Sequence, residues 1–91
     1  MFFEWDPLKE AANRRKHRIS FHEAATVFGD SLSTTFRDAD RAHEEHRYIT
    51  IGMSQRDRIL VVAHTEQGDT VRVISARRAT RRERRFYEEN R

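Results

Sequence analysis

The apolar residues of the chain change their spacing part-way along it. They recur every three to four positions in the first thirty residues and alternate with polar residues from about residue 48 onward. Asp6 and Pro7 predict the start of a first helix, because aspartate caps free N–H groups and proline at the first helical position loses no hydrogen bond. We expect this helix to run to about Lys16.

A second helix is predicted to start at Ser20, which can form a capping box with Glu23. Its apolar stripe has helical spacing and consists of Phe21, Ala24, Ala25 and Phe28. We expect Gly29 to end this helix in a left-handed conformation. Phe3 and Trp5, near the N-terminus, are interpreted as core residues rather than as groups that stack on nucleobases.

Four segments predict strands: residues 32–36, 48–53, 58–66 and 70–75. The first should be a short edge strand. Residues 58–66 are the most apolar and should form the central strand. The turns at residues 54–57 and 67–69 are short enough for an antiparallel meander. Residues 37–47 are predicted to form a polar loop.

Thr80 and Glu83 form a second capping box and predict a last helix over residues 81–89. The predicted order is two N-terminal helices, a three- to four-stranded antiparallel sheet and a C-terminal helix. With 91 residues the chain forms one α+β domain. We expect the helices to cover one face of the sheet and to leave the other face available.

Positive charge is concentrated at one end of the chain. Residues 77–91 hold seven arginines and three glutamates, a balance of +4, and subtracting this from the net charge of +3 leaves −1 for the rest. Arginine outnumbers lysine by 16 to 2, and its planar guanidinium suits forked recognition of phosphate or carboxylate. We therefore expect a polyanion or an acidic partner to dock at this end.

The remaining composition excludes several classes of protein. The absence of cysteine excludes disulfides and thiol chemistry and agrees with a cytoplasmic location. The acidic N-terminal segment does not have the pattern of a signal peptide. Because no apolar run approaches ~18 residues, we expect no membrane span.

Four arginines at helical spacing form the first candidate site: Arg78, Arg81, Arg82 and Arg85. Arg77 lies just before them, at the end of the last predicted strand. A stripe of this kind binds phosphate in a salt-dependent way without reading bases. The alternative is a solvated helix with local Glu–Arg pairs, but the segregation of the charge favours binding.

His64 and Glu66 lie two residues apart in the predicted central strand and therefore point to the same side. A histidine with a pKa of ~6.5 can act as an acid or a base near neutrality. A three-residue turn would place Arg72 of the next strand opposite His64, whereas a two-residue turn would place it opposite Ala63, on the other face. The sequence leaves this register open, and His64 can also be an ordinary half-buried strand residue.

Three further residues are secondary candidates. Lys16 and His17 end the first helix, where basic residues also suit the helix dipole. Tyr87 either packs its ring or presents its hydroxyl to a phosphate, and the sequence favours neither. The segment of residues 43–46, His-Glu-Glu-His, resembles a weak zinc site, but without cysteine or an HExxH pattern we interpret it as a charged loop and predict no metal or other cofactor.

Several segments together resemble the BrnT family, toxins of type II toxin–antitoxin modules. They lie at residues 3–9, 13–17, 20–30, 47–52, 58–69 and 71–88, and include RILVVAHTE and VRVISARRATRRERRFYE. The resemblance covers nearly the whole chain in order. Arg18 departs from the family pattern, which commonly has glycine after Lys16 and His17.

The resemblance implies a RelE-like fold and a cytoplasmic toxin that inhibits translation by cutting RNA. It also implies a cognate antitoxin, similar to BrnA, with a ribbon-helix-helix DNA-binding region. Operator DNA would then be contacted only through the complex with the antitoxin, and no membrane would be involved.

On this basis we predict a metal-independent endoribonuclease in which the RNA 2′-hydroxyl attacks the adjacent phosphate. Arg77, in the Ser-Ala-Arg segment, and Arg72 are the expected phosphate ligands, and His64 and Glu66 the acid/base candidates. The expected RNA-binding residues are Arg78, Arg81, Arg82, Arg85, Tyr87, Lys16 and His17. The alternative is a non-catalytic module that binds RNA or a partner through the same basic surface.

Overall fold

A five-stranded sheet organises residues 1–41 and 46–89, which the computed structural model describes. The elements follow in the order β1 (Phe2–Glu4), α1 (Pro7–His17), α2 (Phe21–Thr26), a 3₁₀ turn (Val27–Gly29), β2 (Thr34–Arg37), a second 3₁₀ turn (Ala39–Arg41), β3 (Arg47–Met53), β4 (Ile59–Gln67), β5 (Thr70–Arg78) and α3 (Arg81–Glu89). The strand order is β1-β5-β4-β3-β2, with β4 in the centre and β2 at an edge.

The α+β class, the three helices and the edge and central strands agree with the sequence prediction, but the sheet differs from it in two ways. It has a fifth strand, β1, which pairs in parallel with β5 through Phe2 opposite Thr70. Three residues are too few to show an alternating pattern, so periodicity does not reveal this strand. The expectation that one face stays available is also wrong, since α3 packs on it.

The helix ends follow the predicted capping chemistry in part. Asp6 Oδ1 accepts a hydrogen bond from the Leu8 amide at 2.8 Å. Ser20 Oγ accepts one from the Glu23 amide at 3.0 Å. Gly29 was expected to be left-handed, and this is wrong: among the described glycines only Gly68 has a positive φ. The second helix ends instead through its 3₁₀ turn.

Helix α1, rather than α2, ends in a left-handed residue. This residue is Arg18, which has φ 61° and caps α1. Its amide donates to the Arg14 carbonyl at 2.9 Å. A side chain disfavours this conformation, which glycine adopts without steric cost. The departure from the family pattern at Arg18 therefore falls where the backbone most favours glycine.

The larger apolar core lies between the sheet and the α2 layer. Its fully buried members are Ile19, Phe21, Ala24, Val27, Leu60, Val62, Val73 and Ala76. Phe3 packs on Phe28 and Trp5 on Phe21, with ring centroids 5.4 and 6.0 Å apart, so both are core residues as predicted. The burial of these rings joins the N-terminal segment to the sheet.

Asn13 connects α1 to β5. It binds Ala76, on the edge of β5 that β1 leaves unpaired after Arg72. Its side-chain amide donates to the carbonyls of Ala76 at 2.8 Å and Ile19 at 2.9 Å. Its Oδ1 accepts from the Ala76 amide at 3.1 Å. This buried side chain thus hydrogen-bonds both backbone groups of Ala76, as a neighbouring strand would.

The opposite face of the sheet carries a smaller core, in which Tyr87 of α3 packs with Ile51 and Val61. The Tyr87 hydroxyl donates to Asp30 Oδ2 at 2.6 Å. The same oxygen accepts from the Met53 amide at 2.8 Å. Asp30 therefore connects α3 to β3. No helix among the described residues is long and apolar enough to span a membrane.

We expect Asn13→Ala to lower the free energy of unfolding by about 2–3 kcal/mol, because it leaves buried backbone groups of Ala76 and Ile19 without partners. Urea unfolding measures the change. Arg15→Ala, at an exposed position of the same helix, is the matched control and should stay within about 0.5 kcal/mol of the parent protein. Equal stability of the two variants would contradict the role of Asn13.

Candidate functional site

Arg77 lies near the end of β5, directly opposite Val61 and on the same face of the sheet as α3. Its guanidinium binds both carboxylate oxygens of Glu83, at 2.7 and 2.9 Å. Glu83 also accepts from the Thr80 amide at 2.9 Å, while Thr80 Oγ1 accepts from the Glu83 amide at 3.2 Å. The predicted capping box is therefore present, and it orients Arg77 as well.

The ion pair determines the charge state of both groups. The hydrogen bond from Arg77 lowers the pKa of Glu83 to about 2, and the same bond raises the pKa of Arg77. Glu83 is consequently a carboxylate at neutral pH and a poor proton acceptor. The Arg77 side chain is 40 % exposed, so N–H groups that do not bind Glu83 can reach a ligand.

A depression of about 380 Å³ opens beside Arg77, and we call it the Arg77 pocket. Its apolar residues are Phe36, Ile49, Ile51 and Val61, and its charged residues include Arg37, Asp38 and Glu83. Asp38 is held by an ion pair with Arg47 at 3.1 Å. The pocket thus combines apolar side chains with two arginines and three carboxylates.

A second depression, of about 410 Å³, has α3 as one of its walls, and we call it the α3 groove. Its cationic residues are Arg58, Arg78, Arg81, Arg84 and Arg85, and it also contains Asp57 and Glu88. Arg58 binds the buried carboxylate of Glu23. Within the described part of the chain, the other four arginines have no carboxylate at ion-pair distance, so the groove is positively charged and open to an anion.

The structure brings together only some of the predicted RNA-binding residues. Arg78, Arg81 and Arg85 lie in the α3 groove, whereas Arg82 is exposed outside it. Arg58 and Arg84 also line the groove but are not among the predicted RNA-binding residues. The three-residue spacing from Arg81 could have indicated Arg84, but only the fold brings Arg58 to the groove.

Tyr87 takes the first of its two predicted alternatives. Its ring is buried and its hydroxyl donates to Asp30. Lys16 is exposed and His17 half-buried at the end of α1, which packs on β5. Neither lies in the α3 groove or the Arg77 pocket.

Arg72 pairs with Thr65, so neither of the two predicted registers occurs. The turn consists of two residues, Gly68 and Asp69, and Val73 lies opposite His64. Arg72 therefore points to the face opposite to His64. It forms an ion pair with Glu4 of β1 at 2.7 Å.

His64 is fully buried against Phe28, with ring centroids 4.9 Å apart. Its Nε2 is 2.7 Å from Thr50 Oγ1, which also bonds Thr35. Its Nδ1 has no hydrogen-bond partner in the described part of the chain and lies 3.7 Å from Glu66 Oε1. Burial lowers its pKa to about 4. His64 is therefore a neutral core residue at pH 7.

Glu66 lies five residues along β4 from Val61, the partner of Arg77. At about 3.3 Å per residue this is a separation of about 16 Å. Arg77 and Glu66 therefore do not reach the same phosphate. Of the four residues predicted to be catalytic, only His64 and Glu66 lie close together. Arg72 lies on the face of the sheet opposite to His64, and Arg77 lies further along β5.

Comparisons with known proteins agree with this arrangement of elements. The model of a family described as "Ribonuclease toxin, BrnT, of type II toxin-antitoxin system" matches residues 5–83. The chain belongs to the BrnT family. The crystal structure of the Brucella abortus ribonuclease toxin, BrnT, superposes with a TM-score of 0.69 at 22 % identity, covering 89 % of this chain and 100 % of that one. No curated protein matches in sequence.

Like the other members of the BrnT family, this chain is thus a ribonuclease toxin of a type II toxin–antitoxin system. Its described residues contain no cluster of three or more His, Asp and Glu side chains that could hold a metal ion. Three residues of the weak zinc segment, 43–45, lie outside the described residues.

We expect this BrnT toxin to lose stability in acid through His64. Since the folded-state pKa, about 4, is below the unfolded value of 6.5, neutral His64 stabilises the fold above pH ~6.5 and the stabilisation is lost as the pH falls towards 4. The free energy of unfolding should fall by about 2–3 kcal/mol between pH ~7.5 and ~4.5. Urea unfolding at both pH values measures this.

His64→Gln keeps a group that can bond Thr50 but does not titrate, so it should remove most of this pH dependence. His22→Gln, at an exposed histidine, is the control and should retain it. An unchanged pH dependence in His64→Gln would show that other groups cause the loss.

Proposed function

We propose that this chain is an endoribonuclease that holds the RNA backbone in the α3 groove and the scissile phosphate at Arg77. The proposal is carried by the contrast between Arg77, which is paired with Glu83, and the unpaired arginines of the α3 groove. Arg78, Arg81, Arg84 and Arg85 share one groove without carboxylate partners among the described residues. Arg77, next to them, is oriented by Glu83 and remains partly exposed.

The proposed reaction is attack of the RNA 2′-hydroxyl on the adjacent phosphorus. The new P–O2′ bond forms as the P–O5′ bond breaks, giving a 2′,3′-cyclic phosphate and a 5′-hydroxyl end. The 2′-hydroxyl proton is released and the 5′-oxygen gains one. Arg77 stabilises the negative charge that develops on the phosphorane, and its pre-set orientation avoids reorganisation during the reaction.

Which groups act as the general acid and the general base in this reaction stays a prediction. The sequence suggested His64 and Glu66, but the burial of His64 and the distance of Glu66 from Arg77 favour a different arrangement. We propose that positioning and charge stabilisation by Arg77 supply most of the rate, with proton transfers carried by solvent. The phosphate role suggested for Arg72 finds no support in its pairing with Glu4.

The biological part of the proposal rests on membership of the BrnT family. We propose that RNA cleavage inhibits translation and that a cognate ribbon-helix-helix antitoxin neutralises the toxin. Operator DNA would be bound only through the complex of the two proteins. Growth arrest on expression, relieved by the adjacent antitoxin gene, is the cellular counterpart of the experiments below.

We expect Arg77→Ala to lower the rate of RNA cleavage at least about 100-fold, the usual effect of removing one group that stabilises a developing charge. Cleavage of a labelled RNA in EDTA at low salt measures the rate and also tests the independence from metal ions. Arg14→Ala, at a surface arginine paired with Glu10, is the matched control and should cleave normally.

Full activity of Arg77→Ala would refute the assignment of the phosphate site. Binding of RNA without cleavage by the parent protein would instead favour the alternative, a non-catalytic binding module. The far-UV circular dichroism of Arg77→Ala should match that of the parent, since loss of activity through unfolding would otherwise be mistaken for loss of catalysis.

We expect Arg84→Ala to weaken RNA binding and to reduce its dependence on salt. Each phosphate contact on a single strand contributes about 0.7 to the slope of log K against log salt concentration, so the slope should become shallower by about that amount. Fluorescence anisotropy with a labelled oligoribonucleotide measures both. Arg15→Ala removes the same charge from α1 and should leave the slope unchanged; an equal loss in both variants would indicate non-specific attraction.

A further inference from the structure

Phe36 is an aromatic residue of the edge strand β2 that keeps 42 % of its surface exposed. It lies opposite Ile49 of β3, whose side chain belongs to the smaller core. Its ring meets Phe86 of α3 at 71°, with the centroids 6.3 Å apart. The contact with Phe86 leaves part of the ring accessible at the Arg77 pocket.

The residues around Phe36 fit a nucleotide better than a purely apolar ligand. Phe36 and Arg77 both line the same pocket, and apolar side chains of β3 and β4 line the space near them. A nucleobase needs an aromatic or apolar surface to stack on, and its phosphate needs a cation. The volume of about 380 Å³ lies in the range of small-molecule sites.

Two aspartates, Asp38 and Asp40, line this edge of the pocket. Asp40 is exposed, whereas Asp38 is charge-compensated. Asp38 Oδ2 accepts from Arg47 Nε at 3.1 Å, and its Oδ1 accepts from the Asp40 amide at 3.1 Å. Arg37 lies at the same edge without an ion pair among the described residues. Asp38 therefore presents less repulsion to an RNA chain than an unpaired carboxylate would.

We propose that the Arg77 pocket is a nucleobase subsite, in which one unpaired base of the RNA stacks on Phe36 while an adjoining phosphate contacts Arg77. This inference rests on the proposed ribonuclease function and adds a ligand to its site. Stacking on an aromatic ring tolerates all four bases. The subsite would thus select single-stranded RNA over duplex RNA, whose bases are already stacked and paired.

The experiment combines four variants with substrates that lack one base. An oligoribonucleotide with a single mapped cleavage site is prepared with an abasic residue at each position in turn, and kcat and KM are measured. Phe36→Ala removes the ring, Phe36→Leu keeps apolar bulk without an aromatic face, and Phe36→Tyr keeps the face. Arg77→Ala is the fourth variant, and urea unfolding confirms that each is folded.

With the parent protein, one abasic position should raise KM about 5- to 100-fold, the range of base–aromatic stacking. Phe36→Ala and Phe36→Leu should raise KM similarly for the intact substrate, and the abasic substitution should then add less than about twofold, because the partner of that base is already gone. Phe36→Tyr should stay within about threefold of the parent.

The outcomes separate the subsite from the proposed function. If Arg77→Ala abolishes cleavage but Phe36→Ala has the parent KM, the nucleobase subsite is refuted and the ribonuclease assignment stands. If the effects of the abasic position and of Phe36→Ala multiply, the base binds elsewhere and the subsite is again refuted. If Arg77→Ala cleaves at the parent rate, the proposed function fails whatever Phe36 does.

Discussion

The carboxylate of Asp30 joins parts of the chain that are far apart in sequence. Its Oδ1 accepts from the Leu32 amide, and its Oδ2 accepts from the Met53 amide and the Tyr87 hydroxyl. These bonds fix the position of α3 on the sheet, because Tyr87 is the buried residue of that helix. Both depressions have walls from α3. The geometry of the whole candidate site therefore depends on this carboxylate.

The arginines fall into two sets, those in ion pairs and those without a carboxylate partner among the described residues. Several arginines of the body and of the sheet form ion pairs, as Arg58 does with Glu23 and Arg72 with Glu4. The pair of Arg58 with Glu23 is largely buried, whereas the pair of Arg72 with Glu4 is about half exposed and therefore adds little to stability. The other four arginines of the α3 groove lack such partners among the described residues, so their charge is open to solvent. Arg77 combines both properties, since it is paired, oriented and still partly exposed.

Local signals in the sequence predicted the ends of α1 and α3 and the strands with clear alternation, because caps and periodicity act over a few residues. They did not predict β1, whose pairing with β5 joins residues about 68 positions apart, Phe2 and Thr70. The register of Arg72 also escaped prediction, since a shift of one residue in the turn moves every side chain. Three of the groove arginines, Arg78, Arg81 and Arg85, were recognised from their spacing, whereas Arg58 required the fold. The residues next to His64 in the sequence did not indicate that its side chain is buried.

Several contacts that complete this fold connect its two ends. Phe2 pairs with Thr70, and Asn13 bonds to Ala76 across 63 positions. Closing such loops before any compensating contact forms slows folding. During synthesis, β1 and α1 leave the ribosome long before β5 exists, and α3, with its arginines, comes last. Because α3 supplies Arg81, Arg84 and Arg85 to the α3 groove, this cationic surface cannot assemble until the last helix has been synthesised.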